Sequence, residues 1–482
     1  MLEAELLAAF PAERQVDAPA VAASVATAPR VLVVLDDDPT GTQSVADLPV
    51  LLRWEEDDFR WAFTHLLGAR TAPAVYVLTN TRSLDPAEAA TRNREVVTNA
   101  LAAAAATGTT LGFVSRSDST LRGHYPLETD VIAATLLEVA GQVTDGVIIV
   151  PAFPDADRIT IGGVHYVRAS GGALTPVAQT EYAKDASFGY ASSELAAYVA
   201  EKSAGRISTE DVIVLDLTIV RGGATGIADA VAAAADSTPV VVDIVTENDL
   251  RALALGLAEA ESRGKRLLYR VGPPFVRARI GQAARSPLDR EGAFAGTGGV
   301  GGDGGGLIVV GSHVGVTTRQ LAVLTREHHH ATVVELQVEA VLDDSRGPEH
   351  LASTVSAVAA ALADSDVILH TSRLQVRAGD PRESLRIART VSAAVVDVVR
   401  RTLLVRRPRF VVAKGGITSS DVAAYGLGIR HAIVRGPMLP GIVSLWEPVD
   451  GPARGIPYVV FAGNVGDEQS LLDVVRKLSA TL

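Results

Sequence analysis

Residues 31–43, VLVVLDDDPTGTQ, run five apolar side chains straight into three consecutive carboxylates, Asp36, Asp37 and Asp38. A Val/Leu run that short, stopped by Pro39 and Gly41, reads as a buried parallel strand. Neighbouring carboxylates raise one another's pKa unless a cation or hydrogen bonds hold them, so folding alone gives no reason for three at a strand end. Open α/β sheets bind ligands beyond the carboxyl ends of their strands, which puts a reactive site here. The chemistry such a cluster serves is that of phosphate, metal or a hydroxylated substrate.

The remaining composition narrows the class. A chain of 482 residues is too long for one ordinary core, and two domains are expected. With 48% apolar and 21% charged residues it is globular, and every strand-like run is far shorter than a membrane span. The first thirty residues carry Glu3, Glu5 and Glu13 and lack the basic start and compact apolar block of a signal peptide. There is no cysteine, which excludes disulfides, thiolate metal sites and cysteine nucleophiles. The expectation is a cytoplasmic protein. A net charge of −12 argues against nucleic acid as a partner, so an anionic substrate must be captured by a few local arginines.

Short β-rich runs alternate with alanine-rich helical stretches, the pattern of βαβ units. In the first half they predict strands at 31–35, 75–79, 111–115, 147–150, 212–217, 240–244 and 267–271, with a helix over 86–106 capped by Asp85-Pro86. The segment 292–306, GAFAGTGGVGGDGGG, reads as a flexible linker. Its G-x-G-x-x-G at Gly296, Gly298 and Gly301 precedes a strand instead of following one, so it is not taken as a dinucleotide fingerprint. Beyond it, strands are predicted at 307–310, 332–337, 366–370, 409–413 and 457–461, and a long helix over 383–404. The fold expected is two α/β domains with mainly parallel sheets and a ligand site in the cleft between them. The divisions expected are an N-terminal extension (1–30), a first domain (31–291), the linker (292–306) and a second domain (307–482).

Several strand ends share the character of the first. Arg82 follows 75–79, and the stretch Ser115-Arg116-Ser117-Asp118-Ser119-Thr120-Leu121-Arg122-Gly123-His124 follows 111–115. If these strands are neighbours, Arg82, Arg116 and Arg122 lie near Asp36–Asp38. A carboxylate cluster facing guanidinium forks can hold an acidic, hydroxylated molecule and remove a proton from one hydroxyl. The bland alternative is that these arginines only neutralise the aspartates. In the second half, Gly311-Ser312, Thr371-Ser372-Arg373, Lys414-Gly415-Gly416-Ile417-Thr418 and Ala462-Gly463 each end a strand. Glycine turns let backbone N–H groups approach a polyphosphate, and a hydroxyl-rich helix start at Thr418–Asp421 adds a dipole. There is no Walker sequence. His328-His329-His330 reads as a solvated loop.

VLVVLDDDPTGTQ, SRSDSTLRGHYPLE (115–128), AKGGITSSDVAAYGLG (413–428) and FAGNVG (461–466), in this order, resemble the four-carbon acid sugar kinase family. The resemblance implies an acid-sugar-binding first domain, a nucleotide-binding second domain, ATP and Mg²⁺ as cofactors, and threonate, erythronate or 3-oxo-tetronate as the class of substrate. Carried over by position, it implies substrate contacts from Thr40, Asp118, Ser119 and Arg122, a sugar carboxylate gripped by Arg82, Arg116 or Arg122, and Asp37 or Asp38 orienting and deprotonating a hydroxyl. Asp36, where the family usually has Ala, is taken as a substrate-side residue from its place in the strand-end cluster. It implies nucleotide contacts from Ser312, Gly415, Gly416, Ile417, Thr418 and Gly463; no metal ligand is named. The chain departs from the family's usual residues at Asp36, Thr42, Arg116 and Ile417. Two rival readings stand beside it: a haloacid-dehalogenase-like phosphatase with Asp36 as nucleophile, and a non-catalytic sensor of acid sugar and nucleotide. Apolar strands in both domains leave room for a homodimer.

Overall fold

The computed structural model describes residues 2–67, 70–169, 171–296, 304–372 and 381–479. Seven of the expected linker residues (297–303) and Arg373 therefore lie outside the described residues. The chain divides into two compact units, Met1–Ala284 and Arg285–Leu482. Among the described residues, no helix is long and apolar enough to cross a membrane.

In the first unit, strands follow the order Ile213–Leu215, Thr238–Val242, Gly146–Val150, Leu267–Val271, Leu111–Arg116, Val31–Asp36, Ala74–Leu78 and Leu48–Leu51. Every pairing among them is parallel. All six residues of Val31–Asp36 and all five of Ala74–Leu78 are buried, as near-continuous apolar strands covered on both faces must be. The decisive point for the site is adjacency. Val31–Asp36 pairs with Leu111–Arg116 on one side, Asp36 opposite Arg116, and with Ala74–Leu78 on the other, Asp36 opposite Leu78.

The expected helix over 86–106 is Pro86–Thr107. Asp85 accepts from the N–H groups of Ala87 and Glu88 at 2.9 Å each, and Gly108 ends the helix in a left-handed conformation. Helix Glu247–Ser262 crosses Ala224–Val231 so closely at Gly256 that a Cβ there would stand 2.4 Å from Ile227 Cβ. The first thirty residues pack onto this unit. Glu3 pairs with Arg168 at 2.7 Å, and the N–H of Val16 donates to Asn248 at 3.1 Å.

Periodicity missed an antiparallel ribbon, Arg158–Ile161, Val164–Arg168 and Leu174–Pro176. Its signal was present as Gly162-Gly163 between two β-branched runs, a two-residue hairpin turn in which both glycines have positive φ.

In the second unit the order is His431–Leu439, Ile442–Pro448, Tyr458–Phe461, Val411–Lys414, Leu307–Val310, Asp366–Thr371 and Ala331–Leu336. The first two pairings are antiparallel and the rest parallel. The hairpin His431–Leu439/Ile442–Pro448 went unread because Gly436 and Pro437 interrupt its first strand; the ladder absorbs them as a register shift between Val434 and Gly436. The unit begins before the expected linker. Leu288 N–H donates to Pro437 O at 2.8 Å, Asp289 caps helix Arg290–Phe294, and Ala293 joins the core. The long helix expected over 383–404 is Pro381–Val405. His328 is buried and paired with Asp366 at 2.8 Å, so it is not part of a solvated loop.

Gly256→Ala should lower the stability of the first unit by about 1–3 kcal/mol through overpacking against Ile227, although alanine is the better helix former. A urea midpoint at or above the parent value would contradict this.

Candidate functional site

The strand order brings Asp36–Asp38, Arg82 and the 116–123 loop to one edge of the first unit. At its floor lies Arg116, 2% exposed, whose Nε donates to Asp36 and whose Nη2 stands 3.2 Å from Asp37 Oδ1. The same guanidinium donates to the carbonyls of Asp38 and, at 3.3 Å, Ser117. Arg116 is thus consumed in holding the aspartates and has no edge left for a ligand, unlike the role the sequence expected. Arg82 grips Asp37 bidentately, Nε–Oδ2 3.1 Å and Nη2–Oδ1 2.7 Å, and its Nη1 is 3.7 Å from Asp38 Oδ2.

Gly41 explains how three acids and an arginine fit. A Cβ at Gly41 would stand 2.2 Å from Asp36 Oδ1 and 2.4 Å from Arg116 Nε, so only glycine lets the Pro39–Ser44 turn lie across the ion pair. Asp36 is sealed beneath it, 2% exposed, and burial followed by its acidic neighbours pushes its pKa up to about 7 despite Arg116. A carboxylate so covered cannot reach a phosphate ester, which removes the ground for Asp36 as a phosphatase nucleophile.

Asp38 differs. Its side chain is 20% exposed. One oxygen accepts from the Thr40 N–H at 2.9 Å and from the Thr40 hydroxyl, while Oδ2 faces Arg82. Burial would raise its pKa, but Arg82, Arg116 and Thr40 outweigh that and hold it below the ordinary carboxylate range. Asp37, 2% exposed, lies between the two arginines.

On the neighbouring loop, Asp118 accepts from Arg122 Nε at 2.6 Å and from Thr120 Oγ1. Arg122 remains 24% exposed, stacked 5.4 Å from the Tyr182 ring centroid and 3.9 Å from Asp185. Asp118 sits well below the usual carboxylate range because Arg82 and Arg122 overcome the effect of its burial. Ser119 is brought to the same loop. Its carbonyl accepts from His165 Nε2 at 2.8 Å, and the fully buried His165 is pushed down to about 4 chiefly by desolvation.

Sequence reasoning missed the residues that hold this loop. Tyr190 and Tyr198 donate their hydroxyls to the carbonyls of Thr120 and Leu121 at 2.7 and 2.9 Å, fixing Leu121 at a left-handed φ of 67°. Glu128, buried, accepts from Thr81 at 2.5 Å, from Ser115 at 3.2 Å and from Arg270. Tyr190, Tyr198 and Arg270 lie far in sequence from the loop they support and no pattern marks them, whereas Glu128 closes the quoted stretch 115–128 without having been singled out.

In the second unit, Tyr458–Phe461, Val411–Lys414 and Leu307–Val310 are consecutive strands, so the three glycine turns meet. A Cβ at Gly463 would stand 2.7 Å from Ser312 Oγ, and one at Gly415 3.1 Å from Ser312 Cβ and Thr418 Oγ1. Gly415 has φ 126° and precedes helix Gly416–Asp421, which continues as a π turn, Val422–Gly426. Ile417 points outward, 57% exposed. Of the stretch 371–373 expected to match these, Thr371 and Ser372 lie at the end of the next strand over, Asp366–Thr371. Among the described residues, no group of three or more His, Asp or Glu side chains could hold a metal ion.

The buried cluster makes two predictions. Gly41→Ala should displace the Asp36–Arg116 pair and destabilise the chain by about 2–4 kcal/mol, read as a loss of denaturant midpoint. Because the Asp36 pKa is raised on folding, the native state holds its proton more tightly; its contribution to stability therefore falls as pH rises from about 4 towards about 7. Asp36→Asn should flatten that part of the stability–pH curve, and a variant curve parallel to the parent would refute the assignment.

Comparison with known proteins agrees with this division. Residues 32–279 match a family model described as a sugar-binding N-terminal domain, and residues 307–471 one described as a nucleotide-binding C-terminal domain. A D-erythronate kinase of Heliobacterium modesticaldum is 28% identical over 342 residues, covering 70% of each chain. Among solved structures, a Salmonella typhimurium LT2 protein superposes with TM-score 0.66 at 19% identity, covering 93% of this chain and 99% of its own. A Haemophilus influenzae protein does so with TM-score 0.59 at 17% identity, over 92% and 98%. The structural likenesses speak to the fold. The two family models take in both strand-end clusters, and on them the chain belongs to the four-carbon acid sugar kinase family.

Proposed function

We propose that this protein is an ATP-dependent kinase that phosphorylates a hydroxyl of a four-carbon acid sugar such as threonate, erythronate or 3-oxo-tetronate. One observation carries the reading. At the edge of the sugar-binding unit a single carboxylate of the triad, Asp38, is partly exposed and turns one oxygen to Arg82, while the partly exposed Arg82 and Arg122 both act on Asp118 of the neighbouring loop. The relative named as a D-erythronate kinase supports the same substrate class.

In this reading Arg122 and the outer face of Arg82 take the sugar carboxylate, with Ser119 and Thr40 beside them for hydroxyls. Asp38 Oδ2 accepts the proton of the attacking hydroxyl and aligns it. A base held below the ordinary carboxylate range is weak, but phosphoryl transfer passes through a loose transition state in which positioning and charge neutralisation matter more than base strength. Asp37 and Arg116 hold Asp38 and Arg82 in place and do not touch substrate. Ser312, Gly415, Gly416, Ile417, Thr418 and Gly463 form the nucleotide cradle, where backbone N–H groups and the start of helix Gly416–Asp421 face the phosphates. Mg²⁺ that arrives on those phosphates needs no protein cage and neutralises charge at the γ-phosphoryl.

Purified protein given ATP, Mg²⁺ and a panel of four-carbon acids should release ADP with at least one of them. Asp38→Asn should cut kcat by on the order of a hundredfold or more with an unchanged melting curve. Arg122→Ala should act mainly on KM for the acid, raising it about tenfold or more. Binding of both ligands with no ADP formed from any acid would favour the sensor reading. Turnover of Asp38→Asn at the parent rate would take Asp38 out of the mechanism.

A further inference from the structure

Lys414 ends the central strand Val411–Lys414 of the nucleotide-binding unit and is fully buried. Its ammonium donates to Ala462 O at 2.6 Å and to Val465 O at 3.5 Å, and lies 3.8 Å from the Phe461 ring centroid. Its own carbonyl accepts from the Gly311 N–H at 3.3 Å, and the next residue, Gly415, donates to Phe461 O at 2.8 Å. One residue therefore ties together the three glycine turns. The 462–467 turn has two further anchors. Thr317 donates to Gly463 O at 2.8 Å, and Gln320 to Val465 O and Asp467 O at 3.1 and 2.7 Å.

Among the described residues, no carboxylate lies within ion-pair distance of the Lys414 ammonium. The charged and titratable groups on the surrounding segments are engaged elsewhere: Asp421 with Ser392, Asp467 with Ser470, and His313 and His370 with Thr371. A buried cation without a counter-charge is costly, and a methionine would fill much the same space. Nothing in the packing needs the charge, whereas an anion at the adjoining turns would.

We propose that Lys414 is the fixed counter-charge of the phosphate cradle: a positioning residue that acts through the 462–465 turn, so that nucleotide binding is coupled to protonation of this one side chain. The proposal rests on the nucleotide reading of the glycine turns given above. Desolvation pushes the free Lys414 down to about 7, and phosphate brought close pulls it back towards an ordinary amine. Between those two values binding takes up a proton. Nucleotide affinity therefore falls as pH rises above about 7, by up to about tenfold per pH unit, and this group leaves it flat below.

The test is calorimetric titration of ADP into the full chain near pH 8.5, about two units above the last phosphate ionisation, in two buffers of different ionisation enthalpy. The parent chain should take up a large fraction of one proton per ADP. Lys414→Met should lose that uptake and bind ADP at least about tenfold more weakly. A parent chain that binds ADP with no proton uptake overturns the coupling, and it does so even if the variant fails to fold. A variant that melts lower yet binds ADP as tightly as the parent marks Lys414 as purely structural and also overturns it. A parent chain that binds no ADP overturns the nucleotide reading together with this one.

Discussion

The Arg116 guanidinium is the group on which the strand-end cluster of the first unit depends. It lies at the end of strand Leu111–Arg116, directly opposite Asp36, and satisfies Asp36, Asp37 and the Asp38 carbonyl at once. Without it three adjoining carboxylates at a buried strand end would repel one another and shed charge by protonation. With it, two are sunk out of reach and the third is turned outward. Gly41 is the steric condition for this arrangement, because any side chain there would occupy the space of the ion pair. The cluster therefore treats chemically identical groups differently: Asp36 and Asp37 are buried among the arginines, and Asp38 keeps a partly exposed side chain.

The two units solve similar problems with opposite means. In the first, charge is gathered in side chains and compensated locally by Arg82, Arg116 and Arg122. In the second, three glycine turns at consecutive strand ends present backbone, and the buried Lys414 beneath them has no carboxylate partner among the described residues. A platform of paired charges suits a small polar acid that must be oriented. A bare backbone cradle with a buried cation suits a polyanion that brings its own charge.

Much of the fold is legible in the sequence. Central parallel strands such as 31–35 and 267–271 are apolar on both faces and terminate in turn residues, so a short Val/Leu run identifies them within a residue or so. What escaped notice was antiparallel. The Arg158–Pro176 ribbon alternates polar and apolar residues weakly, and strand His431–Leu439 carries a glycine and a proline that a bulge accommodates. Of the site, the motif residues were visible because several acids, arginines and hydroxyls at successive strand ends have no packing rationale. Their supports were not visible. Tyr190, Tyr198, His165 and Arg270 come from distant segments, and each is an unremarkable residue in its own stretch.

The sequence by itself determined where the carboxyl ends of the strands fall and which functional groups they carry, because strand length, apolar runs and glycine breaks are local properties. Only the tertiary structure decided which of those groups can act. Whether Arg116 grips a ligand or an aspartate, and whether Asp36 or Asp38 meets solvent, depends on burial and on partners many residues away. Burial sets both the cost of a charge and its pKa, and it is a property of the packed chain alone.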